Sequence, residues 1–383
     1  METKKNILVI AGEVSGDMHG AALIRELKKL NQDIEVYGIG GNLMKNEGAF
    51  LVHHINRMAF LGFVEVIKHI PFIKKVQRDL ISLVKEKNIH TAVLIDYPGF
   101  NLNLAVKLKE LKVNVAYYIS PQIWAWGKNR IEKIKRVVEK MIVVFPFEQK
   151  IYQDFGVDAE YVGHPLMEII NNHKFLTKEF FYNEFALDTD KEILLIMPGS
   201  RKHEIEKIFP QSILAAQKLA DAYNMQIVVS ASQNIQKEFF FTVTKERQFK
   251  VISSHTYELM KYSKFGIIKS GTSTLEAAIF QLPMLIVYKT NWLTHFIGKR
   301  LIRVKNIGMV NILMNEQIVP EFIQNDVSAD KIFEKCKEIL SNDEKYSLMK
   351  QKLGKVKDIL GENGASKRAA QIIFNLMNED QKN

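Results

Sequence analysis

The chain carries a single cysteine, Cys336, among 383 residues. No disulfide can close within it and no cysteine cage can hold zinc, which points to a reducing compartment. Long apolar runs are missing too. A membrane-crossing helix needs about 18 or more consecutive apolar residues, and the longest candidate, Ala277 to Tyr288, is broken by Gln281 and Pro283. The first apolar run, Ile7 to Ala11, is too short for a signal-peptide core and reads as a strand. The ten histidines show no H-E-x-x-H or other metal spacing. Acidic excess is absent: the net charge is +10, so the expected partner is anionic, whether nucleic acid, phosphorylated metabolite or membrane surface. What is present is ample core. With 47% hydrophobic and 25% charged residues, a disordered or collagen-like chain is excluded.

The recurring pattern is a short apolar strand, a turn and a longer amphipathic helix. Asn6–Ala11 reads as a strand, Gly20–Leu30 as a helix and Glu35–Gly38 as a second strand. Thr91–Ile95 is nearly all apolar, as a strand buried on both faces of a parallel sheet must be. Val113–Ile119 and Lys140–Phe145 repeat the theme, and a second series follows in Ile193–Met197, Gln226–Ser230, Phe265–Lys269 and Pro283–Tyr288. The alternation predicts α/β architecture with two doubly wound parallel sheets. The polar stretch from about His164 to Asp190 reads as the crossing between them. The expected domains are 1–165, 166–345 and a helical, highly charged segment 346–383. Two such domains imply a cleft lined by strand ends.

Four constellations follow strands. Gly12-Glu13-Val14-Ser15-Gly16-Asp17 comes directly after the first; its glycines let backbone approach a ligand, though the spacing is not G-x-G-x-x-G. The cluster Gly38-Ile39-Gly40-Gly41 after the second strand is a lesser version of the same turn chemistry. Asp96 ends the buried strand Thr91–Ile95, where a partly buried carboxylate suits a general base. Pro198-Gly199-Ser200-Arg201 offers a hydroxyl and a guanidinium fork to a diphosphate. In Ser270-Gly271-Thr272-Ser273-Thr274-Leu275-Glu276, Gly271, Thr272 and Ser273 open a helix and can cap it or bind phosphate. Glu276, one turn on, can accept both hydroxyls of a ribose. Asp188-Thr189-Asp190 resembles a metal-holding pair but precedes a strand, so it reads as a loop at the wrong end of the sheet.

Three stretches pair apolar or aromatic residues with cations: Met58–Ile73 ahead of Lys74, Lys75 and Arg78; Ile123-Trp124-Ala125-Trp126 ahead of Lys128 and Arg130; and Trp292–Lys305. They suit core packing or an anionic membrane interface, where indoles sit at headgroup level. No RNA- or DNA-binding motif appears.

Ala11-Gly-Glu-x-Ser-Gly-Asp, Ile95-Asp-Tyr-Pro-Gly-Phe-Asn, Ser120-Pro-Gln-Ile-Trp-Ala-Trp, Gly163-His-Pro, Pro198-Gly-Ser-Arg and Ser270-Gly-Thr-Ser-Thr-Leu-Glu occur in that order. This series resembles the lipid-A-disaccharide synthase family, inverting glycosyltransferases of Gram-negative bacteria, over about residues 7–325. The resemblance implies the GT-B fold, two Rossmann-like domains facing a central cleft, with the nucleotide held mainly by the second. It implies UDP-2,3-diacylglucosamine as donor and 2,3-diacylglucosamine 1-phosphate (lipid X) as acceptor. It also implies the inner face of the cytoplasmic membrane as workplace, with no cofactor, no metal and no nucleic acid. By the same resemblance Asp96 is the base, and Ser200, Arg201, Gly271, Thr272, Ser273, Glu276 and Asn311 hold the nucleotide. Glu13, Ser15, Gly16 and Asp17 fall on the acceptor side. Where some members have a second Asp three residues after the base, this chain has Gly99. Two other readings stay open on the residues: a UDP-N-acetylglucosamine 2-epimerase-like isomerase of the same fold, and a basic binding protein for RNA or membrane.

Overall fold

Each apolar run becomes a parallel strand because helices cover both faces of its sheet and leave no polar alternation. The computed structural model describes residues 5–58, 70–124, 130–232, 234–290 and 306–379. It divides into two compact units, residues 1–168 with 360–383, and residues 169–359.

In the first unit the strands are β1 (Lys5–Ala11), β2 (Ile34–Gly40), β3 (Phe50–His54), β4 (Thr91–Ile95), β5 (Asn114–Tyr118), β6 (Lys140–Val143) and β7 (Ala159–Tyr161). Their order is β3-β2-β1-β4-β5-β6-β7, all parallel. The order reverses between β1 and β4, so the loops leaving those two strands splay apart and open a crevice at their carboxyl ends. Every residue of β4 is buried.

The second unit repeats the scheme with β8 (Glu192–Met197), β9 (Met225–Ser230), β10 (Lys250–Ile252), β11 (Ser263–Lys269), β12 (Met284–Tyr288) and β13 (Glu321–Ile323). The order β10-β9-β8-β11-β12-β13 is again parallel, with its switch between β8 and β11. Both sheets are doubly wound and Rossmann-like, as expected.

Two differences from the expected elements have physical causes. The first helix begins at Val14, not Gly20, and runs to Leu30. Gly16 and Gly20 lower helix propensity, but a Cβ on Gly16 would stand 3.2 Å from Ala11, so the glycine lets the helix start tight against β1. Four edge strands (β3, β7, β10 and β13) were not expected. Three of them have only three residues, and β3 is half exposed, so none carries a continuous apolar run.

The last helix, Ala365–Glu379, packs on the helix Val14–Leu30 within the first unit. His164 donates its backbone N–H to the Leu360 carbonyl at 2.9 Å, and the Arg368 Nε donates to the Val162 carbonyl at 2.8 Å. The Ser366 amide donates to the Glu168 carboxylate at 2.8 Å.

Candidate functional site

In the first unit the carboxyl ends of β1 and β4 carry the residues of interest. Asp96 and Tyr97 leave β4 with φ of 45° and 48°, two consecutive left-handed residues. That conformation costs of the order of 1–3 kcal/mol per side-chain-bearing residue and persists only where neighbours enforce it. The neighbours are visible. The Asp96 amide donates to the Tyr118 carbonyl at 3.1 Å. The Asp96 carbonyl accepts from the Tyr117 hydroxyl at 2.6 Å and from the Asn101 side-chain amide at 2.7 Å. The Tyr97 hydroxyl donates to the Met58 carbonyl at 3.2 Å. Gly12, after β1, completes the turn: a Cβ there would lie 2.3 Å from the Tyr97 ring. Burial, reinforced by the Glu13 carboxylate, raises the Asp96 pKa from 3.8 to about 6.

Glu13 and Ser15 are exposed at the start of the first helix, and Gly16 is buried. Asp17 turns inward instead. Its carboxylate accepts backbone N–H groups from Gly41 at 2.7 Å, Leu43 at 3.1 Å and Met44 at 3.0 Å. It therefore ties the first glycine loop to the second.

Ser120 and Trp124 leave β5 and converge on a residue that sequence reading did not single out. The Glu148 Oε1 accepts from the Ser120 hydroxyl at 2.9 Å and from the Trp124 indole at 3.0 Å, and its Oε2 accepts from the Phe145 amide at 3.3 Å. Trp124 is thus anchored inside the fold, its ring edge-on to Phe147 at 5.3 Å. The membrane reading of Trp126 and of the segment Trp292–Lys305 lies outside the described residues, as does most of Met58–Ile73. Burial raises the Glu148 pKa from 4.5 to about 7. A carboxyl raised on folding contributes stability that is complete below its unfolded pKa and is lost as pH rises through the folded value. The melting temperature of the wild type should therefore fall between about pH 4.5 and pH 7 by more than that of Glu148→Gln. Parallel melting curves over pH 4–8 check this, and superimposable pH dependences would refute it.

In the second unit, Ser200 and Arg201 follow β8 and precede the long helix Lys202–Tyr223. Beneath them Glu204 pairs with Lys269, the last residue of β11, at 2.9 Å, and stands 3.8 Å from Arg201. Lys269 thus takes the Glu204 Oε1 and leaves the guanidinium loosely held, while the buried Glu204 Oε2 has no hydrogen-bond partner among the described residues. The Ser270 hydroxyl donates to the Ile307 carbonyl at 3.0 Å, and Thr272 is exposed ahead of the short helix Ser273–Ile279. Ser273 and Thr274 bond back to the carbonyls of Lys269 and Gly271. Gly271 has no positive φ, and a Cβ there would meet nothing within 4 Å. Local packing does not demand glycine at this position. Glu276 lies by the Tyr257 hydroxyl at 3.4 Å, and burial raises its pKa to about 7.

Asn311, expected at the nucleotide, lies in the short helix Met309–Met314. It is fully buried, and its amide donates to the Val319 carbonyl at 2.8 Å and to Glu321 at 2.7 Å. Its carbonyl accepts from the amides of Ile318 and Val319 at 2.9 and 3.0 Å. Both N–H donors and both lone pairs are used, so Asn311 locks the chain beside β13. Asp188 and Asp190 form a turn ahead of β8, at the end of the strand away from Ser200, as expected. Among the described residues no three His, Cys, Asp or Glu side chains gather as a metal-binding set.

The geometry has close relatives. Among solved structures, a UDP-GlcNAc 2-epimerase from Neisseria meningitidis superposes with a TM-score of 0.69 at 13% identity, covering 97% of this chain and all of that one. The glycotransferase of kitacinnamycin superposes with a TM-score of 0.66 at 12% identity over 98% of this chain and 100% of that chain. Likeness at that identity shows the fold alone, the two-domain GT-B arrangement of Rossmann-like units. Sequence relatives are nearer. The lipid-A-disaccharide synthase of Geobacter sulfurreducens is 36% identical, covering 98% of each chain. That of Coxiella burnetii is 34% identical, covering 98% of this chain and 99% of its own. The family model described as lipid-A-disaccharide synthetase matches residues 7–375. The chain belongs to the lipid-A-disaccharide synthetase family.

Proposed function

We propose that the chain's two units divide the family's reaction, the first supplying the base and the second the grip on the nucleotide. The reaction joins UDP-2,3-diacylglucosamine to 2,3-diacylglucosamine 1-phosphate, giving the β-1,6-linked disaccharide 1-phosphate and UDP. The observation that carries the assignment is Asp96: a carboxylate at the switch point of the first sheet, braced in a strained turn, with its pKa raised to about 6. It is ionised above that pH yet more basic than a free aspartate, as a general base should be.

Asp96 removes the proton of the acceptor 6-hydroxyl as that oxygen attacks the anomeric carbon of the donor. The bond to UDP breaks on the opposite face, so the configuration inverts. Ser200, Arg201 and the backbone from Gly271 to Ser273 meet the charge that develops on the leaving diphosphate. Glu276 accepts the ribose hydroxyls. Glu13, Ser15 and Gly16 face the acceptor. The basic surplus of +10 favours an anionic membrane surface over free solution, and no described helix is long and apolar enough to cross a membrane. On this reading the enzyme works peripherally, at the inner face of the cytoplasmic membrane where acylated substrates reside, with no nucleic acid involved.

The test is a product assay. Protein, UDP-2,3-diacylglucosamine and lipid X are mixed in detergent, with and without EDTA, and products are weighed by mass spectrometry. A disaccharide phosphate in both mixtures is expected. Epimerisation of UDP-N-acetylglucosamine without disaccharide would overturn the reading.

A further inference from the structure

The turn after β4 holds Asp96 and Tyr97 in the left-handed region, at φ of 45° and 48°. Residues that carry a side chain leave that region unless something keeps them there. Because φ sets the direction of Cβ, a turn that relaxed would carry the Asp96 carboxylate away from the switch point. Whatever holds the turn therefore also aims the carboxylate.

The turn is gripped by its backbone, from two elements. From the neighbouring strand, the Tyr117 hydroxyl donates to the Asp96 carbonyl at 2.6 Å, and the Tyr118 carbonyl accepts from the Asp96 amide at 3.1 Å. From the first turn of the helix Pro98–Glu110, the Asn101 Nδ2 donates to the carbonyls of Asp96 at 2.7 Å and Ile95 at 3.1 Å. Two donors on one carbonyl fill both of its lone pairs and fix the peptide plane that joins Asp96 to Tyr97. The strand end that carries Tyr117 is pinned in turn. The Ile119 amide donates to the Ile142 carbonyl at 3.0 Å, and the Ser120 hydroxyl to Glu148 at 2.9 Å.

Two costs set this grip apart from ordinary core packing. Tyr117 is fully buried in β5, where phenylalanine would fill nearly the same space and leave no hydroxyl to satisfy. Its hydroxyl stays a donor, because burial and then the Asp96 charge push its pKa well above the ordinary value. Asn101 is fully buried too. With its Nδ2 turned to two carbonyls, its Oδ1 has no hydrogen-bond partner among the described residues. A buried acceptor without a donor is destabilising, and turning the amide over would set its oxygen against the two carbonyls instead. Stability is given up at both residues, and what it secures is the turn that carries Asp96.

We propose that Tyr117 is a positioning residue for the reaction: with Asn101 it clamps the Asp96 carbonyl and so keeps the carboxylate where the acceptor hydroxyl must meet it. Tyr117 touches no reacting atom and acts through Asp96 alone. The inference rests on the general-base reading above and adds the residue on which the aim of that base depends.

The test is a double-mutant cycle on the full chain, with kcat and donor KM read from disaccharide formation in detergent. Tyr117→Phe should lower kcat about 10- to 100-fold, since displacing a catalytic group by about 1 Å costs up to about 100-fold. Its KM for the donor should stay unchanged. In the Asp96→Asn background the same change should alter the residual kcat by less than about twofold, because the base it aims is gone. The melting temperature should fall equally in both backgrounds, which separates positioning from folding. Asn101→Leu, which keeps the volume and removes the donor, should repeat the pattern, and it decides the matter if Tyr117→Phe fails to fold. A wild-type kcat in Tyr117→Phe overturns the proposal. So does an equal fold-loss of kcat with and without Asp96→Asn, which makes Tyr117 a structural residue only. If Asp96→Asn alone stays within about tenfold of wild type, the base reading fails first and Tyr117 has nothing to position.

Discussion

Asp96→Asn should lower kcat on the order of 100- to 10,000-fold, the range a positioned general base contributes. Asparagine keeps the shape and the backbone hydrogen bonds that hold the turn, because those run through the Asp96 amide and carbonyl. KM for the donor should therefore change little. A second signature separates catalysis from folding. Burial makes the ionised Asp96 costly in the folded chain, with Glu13 adding to it, so removing the charge should leave the melting temperature at neutral pH unchanged or raised. The wild-type kcat/KM should climb with pH through about 6 as Asp96 loses its proton. Removing the Glu13 charge by Glu13→Gln should shift that limb to lower pH, because Glu13 is one of the two causes that raise the pKa. Steady-state rates over pH 5–9 and a melting curve decide the matter. An Asn variant within tenfold of wild type would remove Asp96 from the role of base.

Arg201→Ala should cost about 100-fold in kcat/KM for the donor, since charge-assisted bonds to a diphosphate are worth roughly 1.5–3 kcal/mol each. The free geometry supports that size of effect. Glu204 is neutralised mainly by Lys269 at 2.9 Å, against 3.8 Å to Arg201, so the guanidinium has little to give up on meeting phosphate. Calorimetry should show weaker UDP binding by the same variant. Arg201→Lys should restore only part, because an ammonium cannot present two parallel donors. Unchanged UDP affinity in the alanine variant would move the diphosphate away from this loop.

Much of this was legible residue by residue. Strands buried on both faces appear as unbroken apolar runs, so β4 was bounded correctly and β1, β8 and β11 to within two residues. Edge strands of three residues leave no such trace. Polar residues in motifs proved harder. Asp96 and Asp17 both follow strands in glycine-containing stretches, yet Asp17 faces the backbone of Gly41 and Met44 and Asp96 does not. Asn311 read as a nucleotide contact, and all four of its hydrogen bonds go to the segment around β13. Glu148 drew no notice because its partners Ser120 and Trp124 lie 28 and 24 residues away.

The sequence by itself determined the α/β alternation, the doubly wound sheets and the family, because hydrophobic period and motif order are local properties of the chain. The tertiary structure alone decided which polar side chains serve the fold and which stay available for a ligand. Hydrogen-bond partners are set by the spatial convergence of strand ends, and a carboxylate in a motif looks the same until its partners are found. The clamp on Asp96 is of this kind too. Tyr117 lies 21 residues further along the chain, and only the pairing of β4 with β5 brings its hydroxyl to the Asp96 carbonyl.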